Sequence, residues 1–109
     1  MAIVEVTDGM VLTQKQVDEA GEGSIFNIRD GQVDDNVYIT NSTVNISGGV
    51  VGNGLDVIAG SQVNISGGTV GDNFMARNST VNISGGSIGD NFDARNSRVI
   101  FSGGFGVNK

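Results

Sequence analysis

The chain has 109 residues, of which 18 are glycine, and it contains no proline, cysteine, histidine or tryptophan. The lack of cysteine excludes a disulfide framework, a thiol nucleophile and a zinc–thiolate site, and the lack of histidine removes the commonest acid–base and metal-binding side chain. The formal net charge of −6 leaves no basic footprint for a polyanion, so nucleic acid is not an expected partner.

One eight-residue motif recurs along the chain: apolar, any residue, apolar, any residue, Gly or Asp, Gly, any residue, apolar. Its clearest copies occupy residues 44–51, 63–70 and 81–88, and each begins with Val-Asn-Ile-Ser-Gly-Gly. Three weaker copies begin at Val4, Phe26 and Val99. The first residues of the six successive copies are 22, 18, 19, 18 and 18 positions apart. An internal repeat of this length is typical of a solenoid.

Residues 12–23 hold the four extra residues of the first repeat, and we expect an irregular loop there. The alternative is a short helix or flap that covers the bottom of the solenoid. Thr13 with Gln16 resembles a capping box, and Gly21 is able to end a helix.

From residue 24 onward, each unit contains two short alternating segments separated by Gly, Asp and Asn. Alternation with a period of two is typical of β-strands, and residues 24–109 show no helical periodicity. We therefore predict an all-β fold: a single-stranded parallel β-helix, or β-solenoid, of about five to six 18-residue coils with an irregular N-terminal coil. Residues 1–109 form one domain, with the irregular first coil or cap at 1–23, regular coils at 24–96 and a C-terminal partial coil at 97–109.

Stacked coils place equivalent residues in columns about 4.8 Å apart, so the apolar positions of the repeat should form inward columns. The predicted columns are Phe26, Val44, Val63, Val81 and Val99; Ile28, Ile46, Ile65, Ile83 and Phe101; Val33, Val51, Val70 and Ile88; Val37, Leu55, Phe74 and Phe92; and Ile39, Val57, Ala76 and Ala94. In the last two columns, a larger residue in one accompanies a smaller residue in the other, as a close-packed core requires.

Glycine and asparagine mark the predicted corners. One corner is formed by the pairs Gly48–Gly49, Gly67–Gly68, Gly85–Gly86 and Gly103–Gly104. Glycine tolerates the positive φ of a sharp turn. Asn36, Asn73 and Asn91 stand where Gly54 stands, which predicts a second left-handed corner.

Five asparagines lie in acceptor sequences for glycosylation: Asn41, Asn45, Asn64, Asn78 and Asn82. The repeat alone explains their spacing. We therefore favour the other interpretation, a ladder of side-chain amides that bond from coil to coil on one face of the solenoid.

Two columns of acidic residues resemble calcium sites in part. Residues 52–59 match most of the calcium-binding nonapeptide of β-roll repeats, in which aspartates of adjacent coils share an ion. The following coils carry Met75 and Asp93 at the position of Asp56. The second column consists of Asp35, Asn53, Asp72 and Asp90. Turn capping explains this column without an ion, and we predict no metal site and no cofactor.

Arg77 and Arg95 are expected to stack, with Asp93 and Arg98 nearby. This arrangement predicts either a solvated face or a strip of intermolecular salt bridges. The chain has no paired carboxylates outside the turns, no nucleophile–base pair and no phosphate loop, so we predict that it is not an enzyme and has no catalytic residues.

The unit Val-Asn-Ile-Ser-Gly-Gly-x-Val-Gly-Asp-Asn-Phe-x-Ala resembles the repeats of right-handed parallel β-helix proteins. Such repeats occur in bacterial surface repeat proteins and in phage tailspikes and other virion proteins. The resemblance covers residues 24–109 well and residues 2–23 loosely. It implies architecture rather than role, because enzymes of this family have many more coils and a cleft lined with carboxylates or basic residues.

These features favour a structural role. The leading hypothesis is a phage virion protein on the capsid surface, a cement or decoration protein that stabilises the capsid. It would act as a homo-oligomer, with a trimer favoured, on a protein partner such as the major capsid protein. The alternative is a tail-spike, tail-fibre or bacterial surface adhesin module, extracellular and with calcium as its ligand. No membrane partner is expected, because no apolar stretch is as long as a membrane span and no secretory signal is visible.

Overall fold

The chain folds into a parallel β-solenoid of about six coils, which confirms the predicted fold class. The structure is a computed structural model that describes residues 2–102 and 106–107. In chain order its elements are β1 (Ile3–Val6), β2 (Val11–Leu12), α1 (Gln14–Ala20), β3 (Ile25–Ile28), β4 (Gln32–Val33), β5 (Tyr38–Thr40), β6 (Thr43–Ile46), β7 (Val50–Val51), β8 (Asp56–Ile58), β9 (Gln62–Ile65), β10 (Thr69–Val70), β11 (Met75–Arg77), β12 (Thr80–Ile83), β13 (Ser87–Ile88), β14 (Asp93–Arg95), β15 (Arg98–Phe101) and β16 (Gly106–Val107).

Three parallel sheets run along the stack, one on each face. The first sheet has the order β1-β3-β6-β9-β12-β15, the second β2-β4-β7-β10-β13-β16 and the third β5-β8-β11-β14. The strands pair in the register of the repeat, so that Val44 lies beside Val63, and Val63 beside Val81. The third sheet is shorter, because α1 takes the place of its strand in the first coil and the described part of the sixth coil has no third strand.

The predicted apolar columns form the core. Phe26, Val63 and Ile83 have 0% of their surface exposed. The rings of Phe74 and Phe92 stack with their centroids 4.9 Å apart and their planes 6° apart. These large rings lie where the neighbouring column carries alanine, so a larger side chain in one column is compensated by a smaller one in the other, as predicted.

The columns are less covered at the C-terminal end. Val99 and Phe92 are only partly buried, and Ala94 is exposed. The side chain of Phe101 is 52% exposed. These residues keep the register of their columns, but within the described residues no coil lies above them.

The two predicted corners are present. The second glycine of each described pair has positive φ, as at Gly49 (76°) and Gly68 (78°). The other corner is left-handed at Asn36 (58°), Asn73 (60°) and Asn91 (63°). The pair Gly103–Gly104 lies outside the described residues.

A third left-handed corner follows the third sheet, and the repeat analysis missed it. The positive-φ residues at this corner are Asn41, Ala59, Asn78 and Asn96. Ala59 and Gly60 together replace the single asparagine of the other coils, which places the extra residue of the 19-residue spacing at this corner.

The expectation of an irregular loop in the first coil is wrong, and the alternative of a covering helix is correct. The Thr13 hydroxyl accepts from the Gln16 backbone N–H, and the Gln16 side chain accepts from the Thr13 backbone N–H, which completes a capping box. Helix α1 ends at Gly21, and it buries Val17 and Ala20. Within the described residues, no helix is long and apolar enough to cross a membrane.

Candidate functional site

The asparagine ladder on the first sheet is present in four successive coils. Asn45 Nδ2 donates to Asn27 Oδ1 at 2.9 Å, and Asn64 Nδ2 donates to Asn45 Oδ1 at 2.8 Å. Asn82 Nδ2 donates to Asn64 Oδ1 at 2.8 Å. Each amide therefore bonds to the coil below it, which confirms the ladder interpretation for Asn45, Asn64 and Asn82. For Asn41 and Asn78 the interpretation is wrong, because these residues have positive φ and form the third corner instead.

The ladder begins on a carboxylate. Glu5 accepts from Asn27 Nδ2 at 2.7 Å and from Arg29 Nε at 2.7 Å. The hydrogen bonds from Arg29 and from Asn27 lower the pKa of Glu5. A carboxylate only accepts, so Glu5 fixes the direction in which all the amides above it point. At the opposite end of the ladder, Ile100 stands in the position of the next asparagine.

The column of Asp35, Asn53, Asp72 and Asp90 also forms a ladder. Asp35 Oδ1 accepts from the Asn53 backbone N–H at 2.9 Å. Asn53 Oδ1 accepts from the Asp72 backbone N–H at 2.8 Å, and Asp72 Oδ1 accepts from the Asp90 backbone N–H at 2.9 Å. The side chains of Asp35, Asn53 and Asp72 thus cap the turn of the coil above them, which supports the turn-capping explanation of this column.

The other acidic column is paired with arginine. Asp56 Oδ2 lies 2.7 Å from Arg77 Nη2, and Asp93 Oδ2 lies 3.0 Å from Arg95 Nη2. The hydrogen bonds that Arg95 donates to the Asp93 carboxylate raise the pKa of Arg95. Arg77 and Arg95 do stack in register, as predicted. Their salt bridges are intramolecular, however, with Arg77 paired to Asp56 and Arg95 to Asp93. In the described part of the chain, no three acidic side chains lie close enough together to hold a metal ion.

A column of buried serines at the third corner was missed by the sequence analysis. Ser24, Ser42, Ser61 and Ser79 have at most 7% of their surface exposed. The Ser61 hydroxyl accepts from the Ser42 backbone N–H at 3.2 Å and donates to the Ile58 carbonyl at 2.7 Å. Their spacing by 18 or 19 residues was the available signal, because a serine that recurs with the repeat and follows a left-handed corner is placed to bond the backbone.

Helix α1 closes the lower edge of the third sheet through one side chain. Gln14 Oε1 accepts from the Tyr38 backbone N–H at 2.6 Å, and Gln14 Nε2 donates to the Tyr38 carbonyl at 2.9 Å. The primary amide therefore makes both hydrogen bonds that a neighbouring strand would make to Tyr38. The edge strand β5 is covered without a further strand beneath it.

The underside of the first coil carries a shallow apolar groove of about 330 Å³ between α1 and strands β1 and β2. Its lining includes Ala2, Val4, Val6, Met10 and Val11. Gln16 and Glu19 of α1 form the polar side of the groove. Met10 and Val11 are 45% and 44% exposed, so apolar surface remains open at this end.

No protein-family model matches the chain, and neither does any curated protein or any solved structure.

Proposed function

We propose that this chain is a non-enzymatic structural protein, a virion component that decorates and stabilises a capsid as an oligomer. The observation that carries the proposal is that polar side chains on the outer faces bond to one another along the stack. The asparagine ladder, the turn-capping ladder and the arginine–aspartate pairs all link neighbouring coils or stay within one. These groups contribute rigidity.

The same observation argues against catalysis. A general acid or base needs a carboxylate that faces a substrate, and a nucleophile needs an adjacent base. Asp35 and Asp72 accept from backbone N–H groups of the next coil, and Asp56 is held by Arg77. The buried serine hydroxyls donate to backbone carbonyls. These groups therefore already have structural partners.

A rigid solenoid of this kind stabilises a capsid mechanically, by lying across the junctions of subunits and adding buried area. A specific contact needs at least about 1,000 Å² of total buried surface. The outer faces of the solenoid are mostly polar, whereas its two ends retain exposed apolar side chains such as Met10 and Phe101. The ends are thus the natural docking surfaces for a protein partner such as a capsid subunit. The acidic charge makes nucleic acid an unsuitable partner.

The oligomeric state tests this proposal. We expect light scattering on the purified chain to give a mass above that of the monomer, with a trimer favoured. A mass that remains monomeric at the highest attainable concentration would count against a cement protein.

Calcium distinguishes the alternative role of a calcium-loaded surface or tail module. Binding to the folded state alone raises the melting temperature by mass action. We expect the same Tm in excess calcium and in excess chelator. A Tm that rises with calcium concentration would favour the surface module instead.

A further inference from the structure

The N-terminal end of the solenoid has an open backbone edge at β1. The carbonyls of Ala2 and Val6 accept backbone hydrogen bonds from the second coil. Because hydrogen bonding alternates along a strand, Ile3 and Glu5 direct their N–H and C=O groups to the side away from the second coil. Among the described residues, no strand lies on that side of β1.

The second sheet has the same kind of edge at β2. The carbonyls of Met10 and Leu12 accept from the second coil at 2.9 Å each, so the backbone groups of Val11 between them face the open side. Gln14 of α1 covers the edge of the third sheet only. The N-terminal end therefore offers donors and acceptors to an added strand in two of its three sheets.

An outward-facing column of the first sheet is apolar at this end and polar above it. Ile3 lies beside Ile25, and the column continues with Thr43, Gln62, Thr80 and Arg98. The Ile3 residue is 64% exposed. A large apolar side chain that is exposed beside unpaired backbone groups is typical of a surface that a partner covers.

The inward-facing side of β1 leaves room for further side chains. Ala2, Val4 and Val6 line the apolar groove of about 330 Å³. A strand added to β1 would direct every second side chain into this groove. Only an extended segment would also satisfy the backbone groups of Ile3 and Glu5, because a helix bonds its own N–H and C=O groups internally.

The surroundings of this groove are acidic. Residues 1–23 carry five acidic side chains and one basic one, a net charge of −4. Glu19 borders the groove, and Asp8 lies in the turn between β1 and β2. Neither makes an ion pair within the described residues. Lysine or arginine beside an added strand would therefore be attracted, whereas a second copy that presented the same end would be repelled.

From the open edges, the apolar groove and the acidic surroundings, we infer that the N-terminal end binds an extended segment of a protein partner. In this segment, apolar side chains alternate with polar ones, and lysine or arginine flank them. The segment adds a strand to β1 and places its apolar side chains in the groove. The presence of a protein partner rests on the proposed function, to which the chemistry of the docked segment is added.

A synthetic peptide tests this binding mode. The probe is Lys-Lys-Val-Thr-Val-Thr-Val-Lys-Lys with blocked ends, and the matched control carries glutamate in place of every lysine. Solvent exchange of backbone amides, measured by NMR on the labelled full chain, reports which edge is covered. Ile3→Pro removes the N–H that faces the open side, and Ile3→Ala is its control because it keeps this N–H. Circular dichroism establishes that each variant is folded.

With the lysine peptide, exchange at the Ile3 and Glu5 amides should slow at least about tenfold. Exchange at Val4 and Val6 should not change, because these residues already bond to the second coil. At low salt, the glutamate peptide should bind at least about tenfold more weakly than the lysine peptide. Ile3→Pro should weaken binding of the lysine peptide far more than Ile3→Ala does.

Unchanged exchange at Ile3 and Glu5, up to the solubility limit of the lysine peptide, would overturn the inference. So would equal binding of the two peptides, or equal binding to Ile3→Pro and Ile3→Ala. Exchange at these amides that slows with the concentration of the chain alone would assign the edge to a second copy instead. The proposed function is tested by the mass of the purified chain, so it can fail separately from this binding mode.

Discussion

The two ends of the solenoid differ in how well they cover the core. In the first coil, Val6, Leu12, Val17 and Ala20 have at most 8% of their surface exposed. In the last described coil, Phe101 is 52% exposed and Val99 is only partly buried. Among the elements of the described residues, only α1 departs from the repeat, and it covers the core of the first coil with Val17 and Ala20.

The comparison shows that covering a core and satisfying a sheet edge are separate tasks. Helix α1 covers the core with Val17 and Ala20, and it satisfies one strand of the third sheet with Gln14. It pairs with neither β1 nor β2, which remain the edge strands of the first and second sheets. An N-terminal end whose core is covered can therefore remain open to pairing with another strand.

The largest expected effect on stability comes from a comparison of two phenylalanines, one near each end of the solenoid. Phe26→Ala empties a site with 0% exposure in the second coil, and we expect it to lower the free energy of unfolding by about 3–5 kcal/mol. Phe101→Ala removes a ring that is already half in water, so it should lower this free energy by much less. Urea unfolding of the two variants measures the difference. Equal losses would mean that the C-terminal coil is as well covered as the N-terminal one.

Gly9 and Gly49 stand at the same position of the repeat, but within the described residues no coil lies beneath Gly9. Gly9 and Gly49 both have positive φ, and alanine at either costs about 1–2 kcal/mol of backbone strain. A Cβ at Gly49 would lie 2.8 Å from the Gly31 carbonyl oxygen, whereas a Cβ at Gly9 would meet nothing within 4 Å. We expect Gly49→Ala to cost about 1–3 kcal/mol more than Gly9→Ala. Thermal unfolding of both variants checks this order, and the reverse order would contradict the close approach of the coils.

The amide of Gln14 provides a smaller effect that is confined to the N-terminal end. Gln14→Ala removes both hydrogen bonds to Tyr38, and at about 0.5–1.5 kcal/mol for each we expect a total loss near 1–2 kcal/mol. Lys15→Ala is the control, because Lys15 is an exposed neighbour on the same helix. Hydrogen exchange at the Tyr38 amide should accelerate in Gln14→Ala and stay unchanged in Lys15→Ala. Unchanged exchange in both variants would show that Gln14 does not close the edge.

The sequence predicted what the repeat controls. Columns such as Phe26, Val44 and Val63 follow directly from the spacing, because residues at equivalent positions of stacked coils must lie above one another. The asparagine ladder followed for the same reason. All of these predictions follow from one rule, namely that equivalent residues of stacked coils lie above one another.

The features that were missed, or for which another interpretation was favoured, occur once or depend on partners distant in the chain. Helix α1 has seven residues, too few for a helical period to stand out, and short helices depend on tertiary packing. Its bonds to Tyr38 span 24 positions and belong to no repeat. The direction of the salt bridge from Arg77 down to Asp56, rather than outward to another molecule, likewise depends on side-chain geometry.

The smallest expected effect concerns Glu5, which anchors the asparagine ladder at the N-terminal end, whereas Ile100 ends it at the other. Arg29 and Asn27 lower the pKa of Glu5 in the folded state. A carboxyl whose pKa is lowered by folding contributes stability above its unfolded pKa of about 4.3, and this stability is lost as the pH falls through the folded pKa. Glu5→Gln should therefore flatten the acid limb of the stability profile, and only slightly, because Glu5 is exposed.

The control for this prediction is Glu19→Gln, since Glu19 makes no ion pair within the described residues. Stability should be measured by urea unfolding between neutral pH and the acid limb, at low and at high salt. The difference between wild type and Glu5→Gln should shrink at high salt, because exposed charges are screened. If Glu19→Gln flattens the limb as much as Glu5→Gln does, the net acidic charge of the N-terminal half, and not the anchored ladder, controls stability in acid.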